Sequence, residues 1–266
     1  MRYSNFHTHT KYSDGVGTVR QNIESAIGKN MSALGFSDHS FTACDTSYCM
    51  KLEDYSNYFK EIKDLKNEYS DRIQIYTGLE KDYYSDIDRS QFDYIIASEH
   101  YIVKNNICYP IDHTPEQQLH CIADVYGGSV LDFAKGYYEL ATEHAIKCKP
   151  DFMGHFDVIN KFGLMPENDE KYIEIANEAV DEVIKHCKVF EVNTGPVRKG
   201  LRTYPHPYTP ILEHIHSVGG EVILNSDCHI PEFLDFYFDE AIEILKKIGF
   251  KSVSVFNGKG FDKVEI

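Results

Sequence analysis

The chain has 266 residues, of which 42% are hydrophobic and 26% are charged, and it contains only 17 Gly and 9 Pro. This ordinary globular composition excludes collagen-like, disordered and low-complexity proteins, and the length fits one domain over residues 1–266. The formal net charge of −15 opposes binding to nucleic-acid phosphates and anionic lipids, so a bound anion needs local positive charge from metal ions or a few Arg and Lys.

The sequence predicts a cytoplasmic protein without a membrane span. No apolar run approaches the roughly 18–20 residues that a spanning helix needs, and the first residues contain no apolar leader segment. The seven Cys include no CxxC pair, which is unlike a disulfide framework or a thiolate zinc site. We therefore expect them to be free, buried thiols in a reducing compartment.

Short apolar segments alternate along the chain with longer segments of helical period, which is typical of repeated βα units around a parallel sheet. Seven strands are predicted, and a weaker eighth lies at Ser252–Phe256. The seven are Tyr3–His7, Ala33–Asp38, Ile73–Glu80, Phe92–Ser98, Phe152–His155, Val189–Asn193 and Glu221–Ser226.

Helical spacing of apolar residues is most regular from Tyr172 to Cys187. Two further helices fall in a long insertion between Ile102 and Pro150, which either caps a site or covers the barrel. The remaining predicted helices, with these two, are Val19–Met31, Leu52–Tyr69, Pro115–Tyr126, Tyr137–Lys147, Pro210–Val218 and Phe238–Ile248.

Imidazole and carboxylate side chains follow most of the predicted strands. Because the carboxyl ends of parallel barrel strands meet at the face where active sites are built, we expect these side chains to converge. They include six of the 13 His. In chain order they are His7, His9, Asp38, His39, Glu80, Glu99, His100, His155, Asp227 and His229.

Two of these segments, His7–His9 and Asp227–His229, place ligand residues two positions apart. On an extended chain such residues project to the same side and can reach one metal ion or two adjacent ions. An HxH pair alone is weak, since 13 His produce on the order of one by chance. The pair in His214–His216 lies in a helical segment, where the two side chains diverge, and is predicted to be surface or packing histidines.

Nitrogen and oxygen ligands without a Cys cluster suit Zn²⁺, Mn²⁺ or Fe²⁺, and their number exceeds what one ion uses. A multinuclear cluster of this kind is suited to hydrolysis of a phosphoester by in-line displacement. Arg198 lies in a Gly/Pro turn after the sixth strand, where its guanidinium can offer two donors to phosphate oxygens. Lys161, Lys199 and Arg202 are weaker candidates for the same contact.

The ordered motifs resemble those of the PHP (polymerase and histidinol phosphatase) superfamily over nearly the whole chain. Length, the absence of other domains and the Asp132–Glu139 stretch make the chain similar to the monofunctional histidinol-phosphate phosphatases of that superfamily. The resemblance implies an α/β fold, a distorted (β/α)7 barrel of the TIM-barrel-like PHP type, with a trinuclear metal site. The motifs are Phe6–Thr10 with Ser13–Gly15, Ser37–His39, Gly78–Glu80, Ser98–His100, Gly154–Asp157 and Ser226–His229.

The resemblance also implies how the ligands are shared among three ions. The first ion would be held by His7, His9, Glu80 and Asp227. Glu80 would bridge to a second ion, which is also held by His100 and His155. The third would be held by Asp14, His39 and His229, and of these Asp14 alone stands in a loop.

The family resemblance implies less about the residues outside the metal site. Arg198 matches a phosphate-binding arginine of the family. Lys161 stands near a position where relatives often have arginine, so the second basic contact is Lys161 or is absent. Glu99 replaces a small apolar residue and contacts either the substrate's amine or a neighbouring His. The acid that protonates the leaving group is a metal-bound water, Asp227, His229 or Glu99.

We therefore expect a metal-dependent phosphomonoesterase that hydrolyses L-histidinol phosphate to L-histidinol and phosphate in histidine biosynthesis, with a bridging hydroxide attacking phosphorus. Its partner would be a small phosphomonoester, without nucleic acid or membrane, and the oligomeric state stays open. One alternative is a PHP-type nuclease or nucleotide phosphoesterase with the same metals. A regulatory domain with a degenerate site and an amidohydrolase are further alternatives.

Overall fold

The computed structural model describes residues 2–266, in which seven parallel strands form a barrel surrounded by helices. The barrel strands follow one another in the order β1-β2-β3-β4-β7-β8-β9, and β5 and β6 form a separate hairpin. Their bounds are β1 (Ser4–Asn5), β2 (Ala33–Phe36), β3 (Gln74–Asp82), β4 (Tyr94–Ser98), β5 (Tyr101–Lys104), β6 (Ile107–Pro110), β7 (Phe152–Met153), β8 (Val189–Asn193) and β9 (Glu221–Asn225).

The first and last barrel strands meet just beyond their carboxyl ends. The backbone N–H of His9 donates to the carbonyl of Cys228 over 2.8 Å, and the N–H of Cys228 donates to the carbonyl of His7 over 2.9 Å. This parallel bridge between Thr8 and Cys228 nearly closes the barrel. The predicted α/β class and seven-stranded barrel are confirmed.

The helices follow the strands as the sequence predicts, and side-chain caps fix several of their starts. Thr18 forms a capping box with Gln21, and Thr114 accepts a hydrogen bond from Gln117 N. None of the helices in residues 2–266 is both long and apolar enough to cross a bilayer. Their bounds are α1 (Val19–Gly28), α2 (Tyr55–Glu68), α3 (Pro115–Tyr126), α4 (Val130–Cys148), α5 (Glu170–Val183), α6 (Gly195–Arg198), α7 (Thr209–Ser217) and α8 (Phe238–Ile248).

Helix α4 begins at Val130, earlier than the start predicted at Tyr137. The hydroxyl of Ser129 caps it by accepting a hydrogen bond from Asp132 N. Gly136 is therefore a helix-interior residue, and a Cβ there would meet the hydroxyl of Tyr126. Close packing, rather than a turn, accounts for a glycine at this position.

Tyr94 fills the barrel interior. Its hydroxyl donates to the carbonyl of Phe6 over 2.6 Å, and its ring lies against Gly78, where a Cβ would be only 2.2 Å from Tyr94 Cζ. Phe256 packs on Tyr94 and on Tyr76, with ring centroids 5.3 Å apart in both pairs. These aromatic side chains give the barrel a dry core below its functional rim.

The predicted eighth strand exists but does not join the barrel. It forms β10 (Ser252–Phe256), which pairs antiparallel with β11 (Phe261–Glu265). Phe256 belongs to a buried cluster with Ala33, Tyr76 and Val189, which lie near the starts of barrel strands. The hairpin therefore covers the end of the barrel opposite the carboxyl ends of the strands.

The insertion between Ile102 and Pro150 contains the two predicted helices and most of the β5–β6 hairpin, which the sequence did not predict. Its helices cover the barrel, since Tyr137 donates to the carbonyl of Phe156 over 3.1 Å and Gln118 donates to that of Ile159 over 2.7 Å. The insertion also reaches the functional rim, where Asp112 and His113 line a cavity.

One cysteine pair departs from the predicted free thiols. Cys44 and Cys108 form a disulfide, with Cα atoms 5.5 Å apart. The bond joins the segment after β2 to strand β6, and the sequence contains no signal that pairs two cysteines 64 positions apart. The other five cysteines are free, and all of them except Cys148 are buried, as predicted.

Candidate metal centre

The structure brings all nine predicted metal ligands to one rim of the barrel. Each of them lies at or just beyond the carboxyl end of a barrel strand, apart from Asp14, which stands in the loop before α1. The nine are His7, His9, Asp14, His39, Glu80, His100, His155, Asp227 and His229.

Glu80 lies at the centre of this set and is 1% exposed. Its Oε2 atom is 2.7 Å from Nδ1 of His39, 3.3 Å from Nε2 of His7 and 3.5 Å from Nε2 of His9. Its Oε1 atom is 2.9 Å from Nε2 of His155 and 3.4 Å from Nε2 of His100. Each of the two carboxylate oxygens of Glu80 therefore lies close to imidazole nitrogens, as a bridging carboxylate requires.

Asp14 and Asp227 complete the rim on the outer side. Asp14 lies 3.2 Å from Nε2 of His229 and 3.7 Å from both His9 Nδ1 and His39 Nε2. Asp227 Oδ1 lies 3.0 Å from His9 Nε2. The backbone of Asp227 has a φ of +49°, in the left-handed region that non-glycine residues seldom adopt. Residues held in this way cluster at functional sites.

The ligand atoms form four overlapping groups, each with its atoms within 4.8 Å of one another. His9 lies with Asp14, His39 and His229 as well as with His7 and Asp227, so it adjoins two groups rather than one. The groups are His9–Asp14–His39–His229, His7–Glu80–His155, His7–His9–Asp227 and His39–Glu80–His100.

The chemistry of these atoms fits divalent cations. His7 Nε2, His9 Nε2 and Glu80 Oε2 are buried, and their close contacts with other rim atoms lack the geometry of hydrogen bonds. Buried polar atoms in folded proteins are normally paired, so unpaired atoms that face one another indicate a missing ligand. Imidazole nitrogens with carboxylate oxygens are the set that zinc and similar ions prefer.

Burial lowers the pKa of His7, His39 and His100, but the neighbouring carboxylates raise it more, so it is the pKa shifts of His9 and Glu80 that match the metal-binding form. Burial, with the nearby charges of His229 and His39, lowers the pKa of His9 to about 3, which leaves a neutral imidazole as a metal ligand requires. Burial raises the pKa of Glu80, but the charges of His39, His7 and His100 lower it more, so the net pKa lies well below the usual range. Glu80 is therefore a carboxylate at neutral pH.

Several proposed metal ligands are held by hydrogen bonds to residues behind them. Glu191 is the main residue of this kind that is not apparent from the sequence. Its Oε1 accepts from Nδ1 of His7 over 2.7 Å, and its Oε2 accepts from the backbone N–H of His155 over 2.8 Å. A carboxylate on the far nitrogen of a ligating histidine fixes the tautomer and the ring orientation. The available signal is a charged residue between the apolar residues Phe190 and Val192 of strand β8.

A cavity of about 320 Å³ opens beside the ligand cluster. His206, another residue that the sequence did not reveal, lines it and is held by Asp157, whose Oδ1 lies 2.6 Å from His206 Nδ1. Of the four basic residues considered for phosphate, only Lys161 and Lys199 line the cavity. The cavity is also lined by Asp45, Tyr48, Asp112, His113 and Asn193.

Arg198 lies at the end of α6 without lining this cavity, and its guanidinium is 5.4 Å from the centroid of the Phe233 ring. Its neighbour Lys199 lies 3.9 Å from Asp227 Oδ2. Lys161 Nζ donates to the backbone carbonyl and to Oδ2 of Asp112. Arg202 is paired with Glu167.

The side chain of Glu99 does not face the cavity, which argues against the predicted contact with the substrate's amine. Its Oε1 lies 2.7 Å from Nδ1 of His144 on α4, both side chains are 1% exposed, and Glu99 does not line the cavity. Glu99 follows β4 next to His100, and successive residues of an extended chain point to opposite sides. The neighbouring-His alternative is therefore the one that the geometry supports.

The HxH pair on α7 lies away from the cluster, as predicted. His214 Nε2 is 2.8 Å from Asp181 at the surface, and the His216 ring packs against Phe250 with centroids 4.7 Å apart. These two histidines are useful controls for those at the rim.

Comparisons with known proteins agree with this geometry. The family model described as PHP domain matches residues 5–195. A protein of Deinococcus radiodurans named probable histidinol-phosphatase is 27% identical over 260 residues, which cover 93% of this chain and 94% of that protein. The histidinol-phosphatase of Lactococcus lactis is 25% identical, with 99% of this chain and 97% of that protein covered.

A solved structure gives the same fold. The Lactococcus lactis histidinol phosphate phosphatase, complexed with zinc, L-histidinol and phosphate, superposes with a TM-score of 0.71. It is 24% identical in sequence, and the match covers 98% of this chain and 99% of that one.

Proposed function

The chain belongs to the PHP domain family, and from this premise we propose that it is a metal-dependent phosphomonoesterase that hydrolyses L-histidinol phosphate to L-histidinol and phosphate. The observation that carries the proposal is the convergence of nine nitrogen and oxygen ligands on one rim beside a small polar cavity. The names of the two relatives, which match nearly the whole chain, support the substrate.

We propose three divalent ions, zinc, manganese or iron, held by the nine rim residues. When bound, they supply positive charge to the phosphate oxygens and lower the pKa of a water molecule that attacks phosphorus. Glu80 is proposed as the bridging ligand because both of its oxygens face imidazole nitrogens. His9 is proposed to hold the first ion with His7, Glu80 and Asp227, whose Oδ1 lies 3.0 Å from His9 Nε2.

The chain's basic residues are proposed to orient the phosphate. Lys161 and Lys199 line the cavity and can direct their ammonium groups at phosphate oxygens, and Arg198 is one residue from Lys199. A leaving alkoxide needs a proton. Asp227 or His229 is proposed to take the proton that the attacking water loses and to deliver it to the ester oxygen, because both side chains lie at the rim and line the cavity.

Hydrolysis of a substrate panel tests the function, measured as phosphate release for the monoesters and as p-nitrophenol release for the diester. The apoprotein, reloaded in turn with zinc, manganese or iron, is assayed with L-histidinol phosphate, p-nitrophenyl phosphate, a nucleoside monophosphate and bis-p-nitrophenyl phosphate. We expect the highest kcat/KM for histidinol phosphate. Faster turnover of the diester or the nucleotide would instead support the nuclease or nucleotide phosphoesterase alternative.

Two histidine variants test whether the rim is the reactive site. We expect His9→Ala to lose nearly all activity and bound metal, because its Nε2 adjoins both Asp227 and Glu80. His214→Ala removes an imidazole of an HxH pair that lies outside the cluster, and we expect unchanged activity and metal content. Equal rates for the His9 variant and the wild type would remove the proposed mechanism.

A further inference from the structure

Cys148 is the one free cysteine of residues 2–266 that is not buried. It is the last residue of α4, and His144 lies one helical turn before it on the same helix. Side chains four positions apart on a helix are neighbours, so the thiol of Cys148 lies beside the imidazole of His144. The proposed metal site uses neither of these two side chains.

The imidazole of His144 is held from its other side by Glu99. Nδ1 of His144 lies 2.7 Å from Glu99 Oε1, and both side chains are 1% exposed. A carboxylate at this distance orients the ring and leaves the second nitrogen, Nε2, for another group. Within residues 2–266, Nε2 is buried and has no hydrogen-bond partner other than Cys148. Thiol, imidazole and carboxylate thus follow one another in the order that activates a nucleophile.

The surroundings of His144 favour its charged form. Burial lowers the pKa of His144, but the hydrogen bonds to Cys148 and Glu99 raise it more, to about 9. At pH 7 a cation therefore lies beside the thiol of Cys148. A positive neighbour stabilises the thiolate, which is the nucleophilic form of cysteine.

The end of α4 would by itself oppose a negative charge on Cys148, because the last carbonyls of a helix give its C-terminus a partial negative charge. Arg89 offsets this effect. Its Nη1 donates to the carbonyls of Cys148 and Lys149, and its Nη2 lies 3.0 Å from Asp151, which holds the guanidinium in place. The last turn of α4 therefore has a guanidinium at its carbonyls as well as an imidazole at its thiol.

We propose that Cys148 is a reactive thiol that hydrogen peroxide oxidises to a sulfenic acid, with His144 and Glu99 as its positioning residues. The thiolate sulfur attacks one oxygen of the peroxide, an S–O bond forms and the O–O bond breaks. Sulfur is oxidised by two electrons and the peroxide is reduced. The hydroxide that leaves takes the proton of the His144 imidazolium and becomes water. This chemistry uses no metal ion and is independent of the proposed phosphatase activity.

The rate of Cys148 alkylation at pH 7 tests whether its neighbours activate the thiol. The native protein is treated with iodoacetamide, and each cysteine is followed by peptide mass spectrometry, with glutathione as the reference thiol. An ordinary thiol is only about 3% ionised at pH 7, so an ionised thiol can react up to about 30-fold faster. We expect Cys148 to react about 5- to 30-fold faster than glutathione, although glutathione is fully exposed. A rate at or below that of glutathione would overturn the proposal.

Two variants separate activation of the thiol from its exposure. Glu99→Gln removes the carboxylate that favours the charged imidazole, so we expect the alkylation rate of Cys148 to fall about five- to tenfold, toward that of glutathione. His214→Ala is the matched control, because its imidazole is also paired with a carboxylate but lies on α7, and it should leave the rate unchanged. An unchanged rate in a folded Glu99→Gln protein would mean that exposure alone sets the reactivity of Cys148, which contradicts the proposal.

Trapping of the sulfenic acid tests the oxidation itself. The wild type and Cys148→Ser are exposed to hydrogen peroxide at pH 7 in the presence of dimedone, which forms a stable adduct with sulfenic acids. We expect the adduct to form at Cys148 of the wild type about tenfold faster than at any of the four buried free cysteines, and Cys148→Ser to lose this fast labelling. Oxidation of Cys148 no faster than that of the buried cysteines would refute the assignment.

Discussion

Glu191 accepts a hydrogen bond from Nδ1 of His7 over 2.7 Å, and both side chains are completely buried. The bond leaves His7 Nε2 directed toward Glu80, 3.3 Å away. Glu191 also accepts from Asn193 and Asn225, so its own position is fixed by the neighbouring strand β9 as well as by β8. The orientation of a rim ligand is therefore set by a residue inside the barrel.

Glu191→Gln should weaken metal binding by about 10- to 100-fold, the usual effect of losing an outer partner of a ligating histidine. The amide keeps the size of the side chain but replaces one acceptor oxygen with a donor. Metal retained after dialysis against graded chelator concentrations measures the change. Glu182→Gln, at an exposed carboxylate paired with Lys185, is the control, and an equal metal affinity in both variants would contradict the role of Glu191.

Arg198 and Lys199 compete for the role of phosphate ligand. The family resemblance predicts that Arg198→Ala raises KM for phosphate monoesters about tenfold or more with the metal content unchanged. The geometry favours Lys199, which lines the cavity. Steady-state kinetics of the two alanine variants, with metal analysis of each, decides between them. An unaltered KM in Arg198→Ala would show that the resemblance assigns the wrong residue.

The buried pair of Glu99 and His144 should make stability depend on pH. Burial lowers the pKa of His144, but the hydrogen bonds to Cys148 and Glu99 raise it more, to about 9. Because this folded-state pKa lies above the unfolded value of about 6.5, the stabilisation is complete below pH 6.5 and is lost as the pH rises through about 9. It amounts to at most about 3 kcal/mol.

Urea unfolding of the wild type and Glu99→Gln at pH 6.5 and 9.5 measures this contribution. The variant lacks the carboxylate that favours the charged imidazole, so we expect its free energy of unfolding to fall less than that of the wild type over this interval. The same variant should keep the wild-type KM, because Glu99 does not line the cavity. An identical pH dependence in both proteins would be the contrary result.

Reduction of the Cys44–Cys108 disulfide should lower the free energy of unfolding by about 2 to 4 kcal/mol, since the bond closes a loop of 64 positions. Unfolding of the wild type with and without a reductant measures the loss. The double variant Cys44→Ser, Cys108→Ser should unfold like the reduced wild type under both conditions. Reductant-independent unfolding of the wild type would contradict the prediction.

The sequence predicted the barrel and the rim because both depend on period and order along the chain. Each βα unit has its own apolar pattern, and the residue after each strand is placed by the architecture itself, as for Glu80 and His155. Strands β1, β2 and β7 each end two residues before the predicted end, and at β1 the side chain of Asn5 accepts a hydrogen bond from His7 N just beyond the strand.

Features that depend on contacts between distant segments were not predictable in the same way. Cys44 meets Cys108, and Asp157 meets His206, only after the loops of different βα units have packed together. The sequence is compatible with two contacts of Glu99, because it does not specify which side of the chain faces α4. The sequence likewise does not specify which of the basic residues after β7 and β8 face the cavity, since neighbouring side chains in a turn point in unrelated directions.

The bridge between the two ends of the barrel has a consequence for biosynthesis. Asn5 donates to Ser226 over 2.6 Å, across 221 positions of the chain, and the rim takes ligands from both sides of this contact. A nascent polypeptide still on the ribosome lacks the complete set until translation has passed His229. If the rim holds cations as proposed, their loading would be a late step of maturation, because a chain interrupted before His229 would lack part of the set.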